Sequence, residues 1–472
     1  MDEYRIYIGG RFQTTKDKLE IKNPFSGELI ASTWVAGEND LEEAIDKAQE
    51  IEKELLEMPS FAKYEVLMQI AASLKEDREN CARLLSLESA KPMRYAWAET
   101  DRAIQTFIVA AEESKRLPKE YIDLDWTVPG IHKEGLVRYF PVGVVAGISP
   151  FNFPLNLAVH KIAPAIAAGC PIILKPSSTT PLSTLNLARI IDKTALPKGA
   201  VSVIPMDRST GNQLVTDERI KLLTFTGSPE VGWKMKNQAG KKKVVLELGG
   251  NAAVIVAPSA DIESAVAKNV IGGFSYSGQV CIHAQRLFVQ KKVFDRFAEK
   301  FIKRVNALKF GDPVHPETEI SVMIDESNAM RVEGWVNEAL AGGAERLAGG
   351  KRDKSYYPPT VLTGTKSEMK VRALEIFGPV VVLETYSEFE EALVRVNEGN
   401  YGLQAGVFTD SIHEMNMAFN HVKAGGVIIN DVPTYRADHM PYGGVKDSGL
   451  GREGVKYAII DMMEARILVK DK

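Results

Sequence analysis

In FSYSGQVCIHAQRLF, residues 274–288, Cys281 stands between an apolar helical run and an apolar strand-like run. A thiol at such a junction has access, and Gly278 permits close approach of a ligand, so Cys281 reads as a nucleophile; the alternative is a buried apolar thiol. Glu247 is the one acid in KVVLELGG. Desolvation would raise its pKa toward general-base duty, whereas a strand-end carboxylate reaching solvent or a salt bridge would be structural. Asn152, in ISPFNFPLNL, lies in a loop stiffened by prolines. Its amide could face a developing oxyanion or cap the helix that follows. In LLTFTGSPEVGWKMKNQAGKK, Ser228 is a good N-cap and Pro229 suits the first helical position. A helix starting there, with Gly227 leaving room, gathers free N–H groups suited to a phosphate. The spacing is not G-x-G-x-x-G, and a plain strand-to-helix turn fits as well.

These residues need rigid elements behind them. Compact apolar runs (VSVIPM, LLTFTG, KVVLELGG, then NAAVIVAP, AQRLFVQ, PVVVLETY, AGVFT, GGVIIN) alternate with helix-length stretches. Strands apolar on both faces and separated by helices indicate parallel sheets covered on both sides. The expected fold class is α/β: two doubly wound parallel-sheet domains plus a small β oligomerisation arm. Residues 1–116 and 137–249 would form the first domain and 250–440 the thiol domain. Residues 117–136 and 441–472 would be oligomerisation segments, because exposed extended segments pair with other subunits. YRIYIGGRF near the start reads as a hairpin, and NDLEEAIDKAQEIEKELLEM as an amphipathic helix.

The 472 residues, 45% hydrophobic and 25% charged, give apolar material for more than one core. A net charge of −4 without a basic block disfavours nucleic acid and anionic membranes as partners. No run of about 18 uncharged apolar residues suggests a membrane span. The start, MDEYRIYIGGRF, has acids where a signal peptide carries positive charge. Three widely spaced cysteines, Cys81, Cys170 and Cys281, make neither a disulfide framework nor a metal cluster. A cytoplasmic location and no metal are expected.

PFNFPLN, KPSS, FTGSPEVG, LELGGN, GQVC and EIFGPVV, in that order, resemble the aldehyde dehydrogenase superfamily over essentially the whole chain, and the 34-residue interval from Glu247 to Cys281 matches too. The resemblance implies NAD- or NADP-dependent oxidation of an aldehyde to an acid. Cys281 would form a thiohemiacetal, Asn152 and the Cys281 N–H would hold the oxyanion, hydride would pass to the nicotinamide, and Glu247 would activate the water that hydrolyses the thioester. Ile148, Ser149, Pro150 and Phe151 would line the cofactor groove with Gly211. Gly227 and Ser228 would meet the pyrophosphate, Lys175 the adenosine ribose, Glu375 the nicotinamide ribose, and Phe377 the ring. Ser178 stands where many NAD-preferring members carry an acid, which leaves NADP permitted.

For the substrate, Arg102 and Arg436 match phosphate-holding positions of non-phosphorylating glyceraldehyde-3-phosphate dehydrogenases. His160 with Arg286 resembles phosphonoacetaldehyde dehydrogenases, and DVPTYRADHMPYGG the lactaldehyde branch. With Phe153 beside them, these residues imply a short hydroxylated or anionic aldehyde, although each arginine could equally tie loops to the scaffold. Val280, where the phosphate-binding branch has a basic residue, departs from that pattern. Transfer to coenzyme A, or a non-catalytic nucleotide-binding protein, are the other readings. A homodimer or homotetramer is expected.

Overall fold

The computed structural model describes residues 2–472. Its first sheet has eight strands, ordered Gly449–Leu450, Lys243–Glu247, Ile220–Thr226, Val144–Ile148, Ile172–Lys175, Val201–Val203, Ile6–Ile8, Arg11–Gln13. The five strands from Lys243–Glu247 to Val201–Val203 run parallel, and the others are antiparallel edges. From Val144–Ile148 the chain winds outward through Ile172–Lys175 and Val201–Val203. It then crosses back to place Ile220–Thr226 on the other flank. That reversal opens a crevice at the carboxyl ends of the strands. The register aligns Ile148 with Lys175 and Thr226 with Glu247, so all four residues end their strands on the crevice side.

The second sheet has seven strands, ordered Glu345–Ala348, Thr360–Thr363, Val380–Tyr386, Ala284–Gln290, Ala252–Val256, Gln404–Phe408, Gly426–Ile429. All its pairings are parallel except the Glu345–Ala348 edge. Gly249 and Gly250 lie between strand Lys243–Glu247 of the first sheet and strand Ala252–Val256 of the second. A third, antiparallel sheet joins Met463–Asp471, Lys133–Pro141 and Lys119–Asp123. A small sheet of Asp2–Glu3, Leu29–Val35 and Asp17–Lys22 flanks the first domain.

The boundaries of the arm differ from the expectation. Strand Lys133–Pro141 runs past residue 136, and only Met463–Asp471 of the C-terminal segment belongs to the arm. Between them, Gly449–Leu450 extends the first sheet and helix Val455–Asp461 packs on helix Pro154–Ala168. Residues 441–462 look loop-like because glycines punctuate them, yet they close the body of the molecule.

Helix Pro154–Ala168 is buried along its whole length and ends at Gly169. A helix enclosed on every side must satisfy its polar side chains internally. His160 and Lys161 on this helix therefore dictate partners from the loops around them. No helix among the described residues is long and apolar enough to cross a membrane.

Candidate active site

A cavity of about 570 Å³ opens between the two large sheets, lined by Asn152, Glu247 and Cys281 together with Gly227, Ser228, Glu375 and Phe377. An adjoining groove of about 600 Å³ continues over the carboxyl ends of the first sheet, past Ile148, Lys175, Ser178 and Gly211. Pro150 and Phe151 line the cavity, with Phe151 edge-on to Phe377 at 5.9 Å. The structure thus brings together ten of the eleven residues assigned to the cofactor. Ser149 is the exception: it is enclosed, 3% exposed, and its N–H donates to Lys175 O.

Cys281 follows helix Ile262–Phe274 in a loop held by unusual backbone. Tyr276, Ser277 and Gly278 have φ of 48°, 54° and 68°. Ser277 Oγ donates to Ser321 O at 2.7 Å, and Tyr276 Oη to Ser89 O at 3.0 Å. Gly278 does not serve ligand approach, as its position beside Cys281 suggests. A Cβ there would lie 2.1 Å from Gly378 O, so the neighbour is the protein's own backbone. The Cys281 thiol is half-buried and its Sγ lies 3.2 Å from Tyr442 Oη. Burial pushes it up to about 11.

Glu247 is 3% exposed, and neither carboxyl oxygen has a hydrogen-bond partner among the described residues. Burial first, then the charge of Glu453, raises its pKa well above the usual carboxylate range. The strand-end salt bridge is therefore not what the structure holds.

Asn152 does not cap a helix. Its Nδ2 donates to Gln279 O at 3.0 Å, and an amide nitrogen carries a second hydrogen for another acceptor. The helix end is satisfied by Glu99, whose Oε1 accepts from Leu155 N at 3.0 Å and Asn156 N at 3.2 Å. Glu99 in turn pairs with Lys91, and Lys91 Nζ donates to Asn152 O at 2.6 Å and sits 4.0 Å from the Phe153 ring. Both side chains are fully buried, so they hold the Asn152 loop from beneath; sequence reading missed them, because Lys91 sits in the link between helices Arg78–Ser89 and Met93–Ser114 and Glu99 in the second helix.

The residues assigned to substrate divide. Arg102, His160 and Arg436 converge in one network. Arg102 pairs with Asp438 at 2.7 Å, His160 Nε2 lies 2.9 Å from the same carboxylate, and Arg436 pairs with Glu453 at 2.9 Å. Burial, then the Arg436 charge, lowers His160 to about 4, so its ring is neutral at pH 7 and serves Asp438. Phe153 and Cys281 both pack against the apolar cluster of Val280, Ile282, Leu403 and Tyr442. Arg286 is a correction: it is not at the cavity. It is 5% exposed, and its guanidinium donates to the backbone carbonyls of Asn251, Arg395 and Val396. Strand Ala284–Gln290 turns this side chain toward a neighbouring helix end, so it is scaffold.

Lys161, Glu453 and Tyr442 are further polar residues that sequence reading passed over. Lys161 Nζ donates to Thr226 Oγ1 at 2.7 Å and to Glu453 at 3.2 Å. Burial opposes ionisation of Glu453, but Lys161 and Arg436 outweigh it and hold the acid at about 2. A lone lysine in an otherwise apolar helix was the signal for the first.

The site residues fit a dinucleotide. Ser228 N-caps helix Pro229–Gln238 without a side-chain capping bond, which leaves first-turn N–H groups for a pyrophosphate. A Cβ at Gly249 would come 2.1 Å from a Glu375 oxygen, so only glycine lets that carboxylate reach the cavity floor.

Two doubly wound domains with a nucleotide-sized groove ending at a thiol define a class of two-domain α/β oxidoreductase. The aldehyde dehydrogenase family model matches residues 12–468, and the chain belongs to that family. It is thus an enzyme that oxidises aldehydes. It is 40% identical over 468 residues to a 3-sulfolactaldehyde dehydrogenase of Priestia aryabhattai, covering 99% of this chain and 98% of the relative. Aldehyde dehydrogenase 21 from Physcomitrella patens, in complex with the reaction product succinate, superposes with a TM-score of 0.98 at 44% identity, covering 100% of this chain and 98% of that one. Glyceraldehyde-3-phosphate dehydrogenase GapN from Methanocaldococcus jannaschii DSM 2661, complexed with NADP, superposes at 0.93 with 37% identity, covering 97% of this chain and 100% of that one.

Proposed function

We propose that the protein oxidises a short, anionic aldehyde to its acid with NAD or NADP, through a thioester on Cys281 that water hydrolyses. The carrying observation is that the Cys281 thiol and the unpartnered Glu247 carboxyl line one cavity. The thiol gives its proton to solvent, and the sulfur attacks the carbonyl carbon, forming a C–S bond as the C=O π pair moves to oxygen. The second N–H of Asn152 and the Cys281 N–H face the oxygen that becomes negative. Bound NAD(P) supplies the hydride acceptor that this oxidation requires. Glu247 then takes a proton from water, whose oxygen attacks the thioester carbon. The acid departs and the sulfur returns to its starting state. The buried Glu247 favours water over coenzyme A as acceptor.

Lys175 and Ser178 would meet the adenosine ribose, Gly227 and Ser228 the pyrophosphate, and Glu375 the nicotinamide ribose. Lys175, Arg208 and Lys234 surround the adenosine end together with Asp207 and Glu230, and Ser178 adds no repelling charge, so a 2′-phosphate is accommodated.

The anion assignment rests on Arg102 and Arg436. Each keeps a buried Nε–H without a partner among the described residues, although each is paired at its outer nitrogens. The Arg436 side chain is 5% exposed and that of Arg102 30%, and a guanidinium with a spare N–H suits a carboxylate, sulfonate or phosphate. Relatives and neighbours carry names of anionic compounds, namely 3-sulfolactaldehyde, succinate and glyceraldehyde 3-phosphate. Steady-state assays with 3-sulfolactaldehyde, succinate semialdehyde, lactaldehyde and propanal, each with NAD and NADP, test the reading. The anionic aldehydes are expected to exceed propanal by roughly 100-fold in kcat/KM, and Arg102→Gln to remove most of that margin, as loss of one charged hydrogen bond implies. Equal turnover of charged and uncharged aldehydes defeats the anion assignment.

The arm is read as a subunit interface. Tyr121, Leu136, Ile467, Leu468 and Val469 on its sheet are exposed, and so are Trp126 and Val128 beside it. A homodimer or homotetramer covers such a face. Light scattering is expected to give two or four times 52.0 kDa, whereas a single 52.0 kDa particle contradicts it.

A further inference from the structure

Tyr442 lies between strand Gly426–Ile429 and the turn at Lys446–Ser448, in a stretch that the sequence pattern assigns to oligomerisation. It is 3% exposed and packs with Val280, Ile282 and Leu403 around Cys281. Two backbone bonds fix it: Tyr442 N donates to Glu453 O at 3.0 Å, and Glu453 N to Tyr442 O at 2.6 Å. Its hydroxyl is 3.2 Å from Cys281 Sγ. The Arg436 guanidinium lies over its ring at 3.7 Å. A cation on the ring face draws electron density from the phenol and makes its O–H a stronger donor.

We propose that Tyr442 is a catalytic residue of the first step: its hydroxyl donates a hydrogen bond to the Cys281 sulfur and stabilises the thiolate that attacks the carbonyl. Four ionisable groups face the sulfur. Glu247 comes from the first sheet, Glu375 from the loop before strand Val380–Tyr386, and Arg436 and Tyr442 from the segment after Gly426–Ile429. The two carboxyl groups, when ionised, disfavour a neighbouring thiolate. Arg436 favours it, but its charge is shared with Glu453 at 2.9 Å. Burial works against the thiolate as well. The Tyr442 hydroxyl is the group that favours it by direct contact. The phenol itself stays protonated, since burial and the sulfur's charge raise it far above its usual range. It is thus a donor at every pH where the enzyme operates. Lys161, Arg452 and Glu453 face Glu247 and stand behind this pair.

This inference rests on Cys281 being the nucleophile. Tyr442→Phe keeps the ring, its packing and the contact with Arg436, and deletes one oxygen. The rate of Cys281 alkylation by iodoacetamide, followed by peptide mass spectrometry across pH, reads the thiolate fraction directly and needs no turnover. The variant is expected to show a thiol titration raised by about one pH unit. Its alkylation should be about tenfold slower at any pH below that titration, as loss of a hydrogen bond to a charged group implies. KM for the cofactor should not change. A purely structural tyrosine would lower the melting temperature and leave the alkylation profile alone. Superimposable profiles for the wild type and Tyr442→Phe overturn the proposal. Failure of the nucleophile reading looks different: Cys281→Ser would then retain turnover.

Discussion

Cys281→Ser is expected to lower kcat by about 10⁴-fold or more, because the alkoxide replacing the thiolate is absent near neutral pH and no other thiol can take over. Cys170 is fully buried, its Sγ lies 3.2 Å from Met462 O, and burial pushes it up to about 11. Cys81 is raised further by burial and by Asp77 beside it. Neither lines the cavity. The substitution exchanges sulfur for a smaller oxygen at a half-buried position, so the fold is retained. Thermal unfolding should therefore be nearly unchanged, and fluorescence titration should show cofactor binding intact, since the groove residues Lys175, Gly227 and Glu375 are untouched. Stopped-flow absorbance at the nicotinamide band is the decisive readout. A serine variant with a normal first turnover would move the nucleophile elsewhere and remove the ground of the proposed mechanism.

The alternation of apolar runs and helices was enough to read the two sheets, because strands such as Ala252–Val256 and Ala284–Gln290 are buried on both faces and their composition says so. Residue types also singled out Cys281, Glu247 and Asn152. What the sequence could not carry is direction. Arg286 has the chemistry of an anion ligand, but a strand alternates its faces, and this side chain falls on the side where backbone carbonyls wait. The 441–462 segment shows why exposure is hard to read from composition. Its glycines look loop-like, yet they let Tyr442 and Glu453 fold into the site. Lys91, in the link before helix Met93–Ser114, and Glu99, on that helix, are charged residues that look like solvated surface. Only the fold reveals that both are at 0% side-chain exposure beneath Asn152. Polar residues inside the body thus carry most of the chemistry and leave the weakest pattern, because burial of a charge depends on a partner distant in the chain.

Glu247→Gln separates the two halves of the reaction. A buried general base contributes about 10²- to 10⁴-fold, so steady-state turnover should fall by that factor. Attack by Cys281 and the oxidation that follows do not use the water base, so a rapid burst approaching one equivalent of reduced cofactor per site is expected before the slow phase. The thioester should accumulate on Cys281 and be trapped by hydroxylamine. The pH dependence has a definite sign. Burial and Glu453 raise Glu247, and only its ionised form accepts a proton. Wild-type turnover should therefore climb with pH through that raised value, and this limb should vanish in the variant. Stability moves the opposite way. A carboxyl whose pKa is higher in the folded protein than in the unfolded chain stabilises the fold below the unfolded value, and that contribution is lost as pH rises through the folded value. Burial gives Glu375, at about 8, and Glu88, at about 7, the same sign. Glutamine cannot ionise, so the variant should lose less stability than the wild type as pH rises through the raised value of Glu247. An unchanged steady state, or a variant lacking both the burst and the trapped thioester, would remove Glu247 from hydrolysis and return the carboxyl to a structural role.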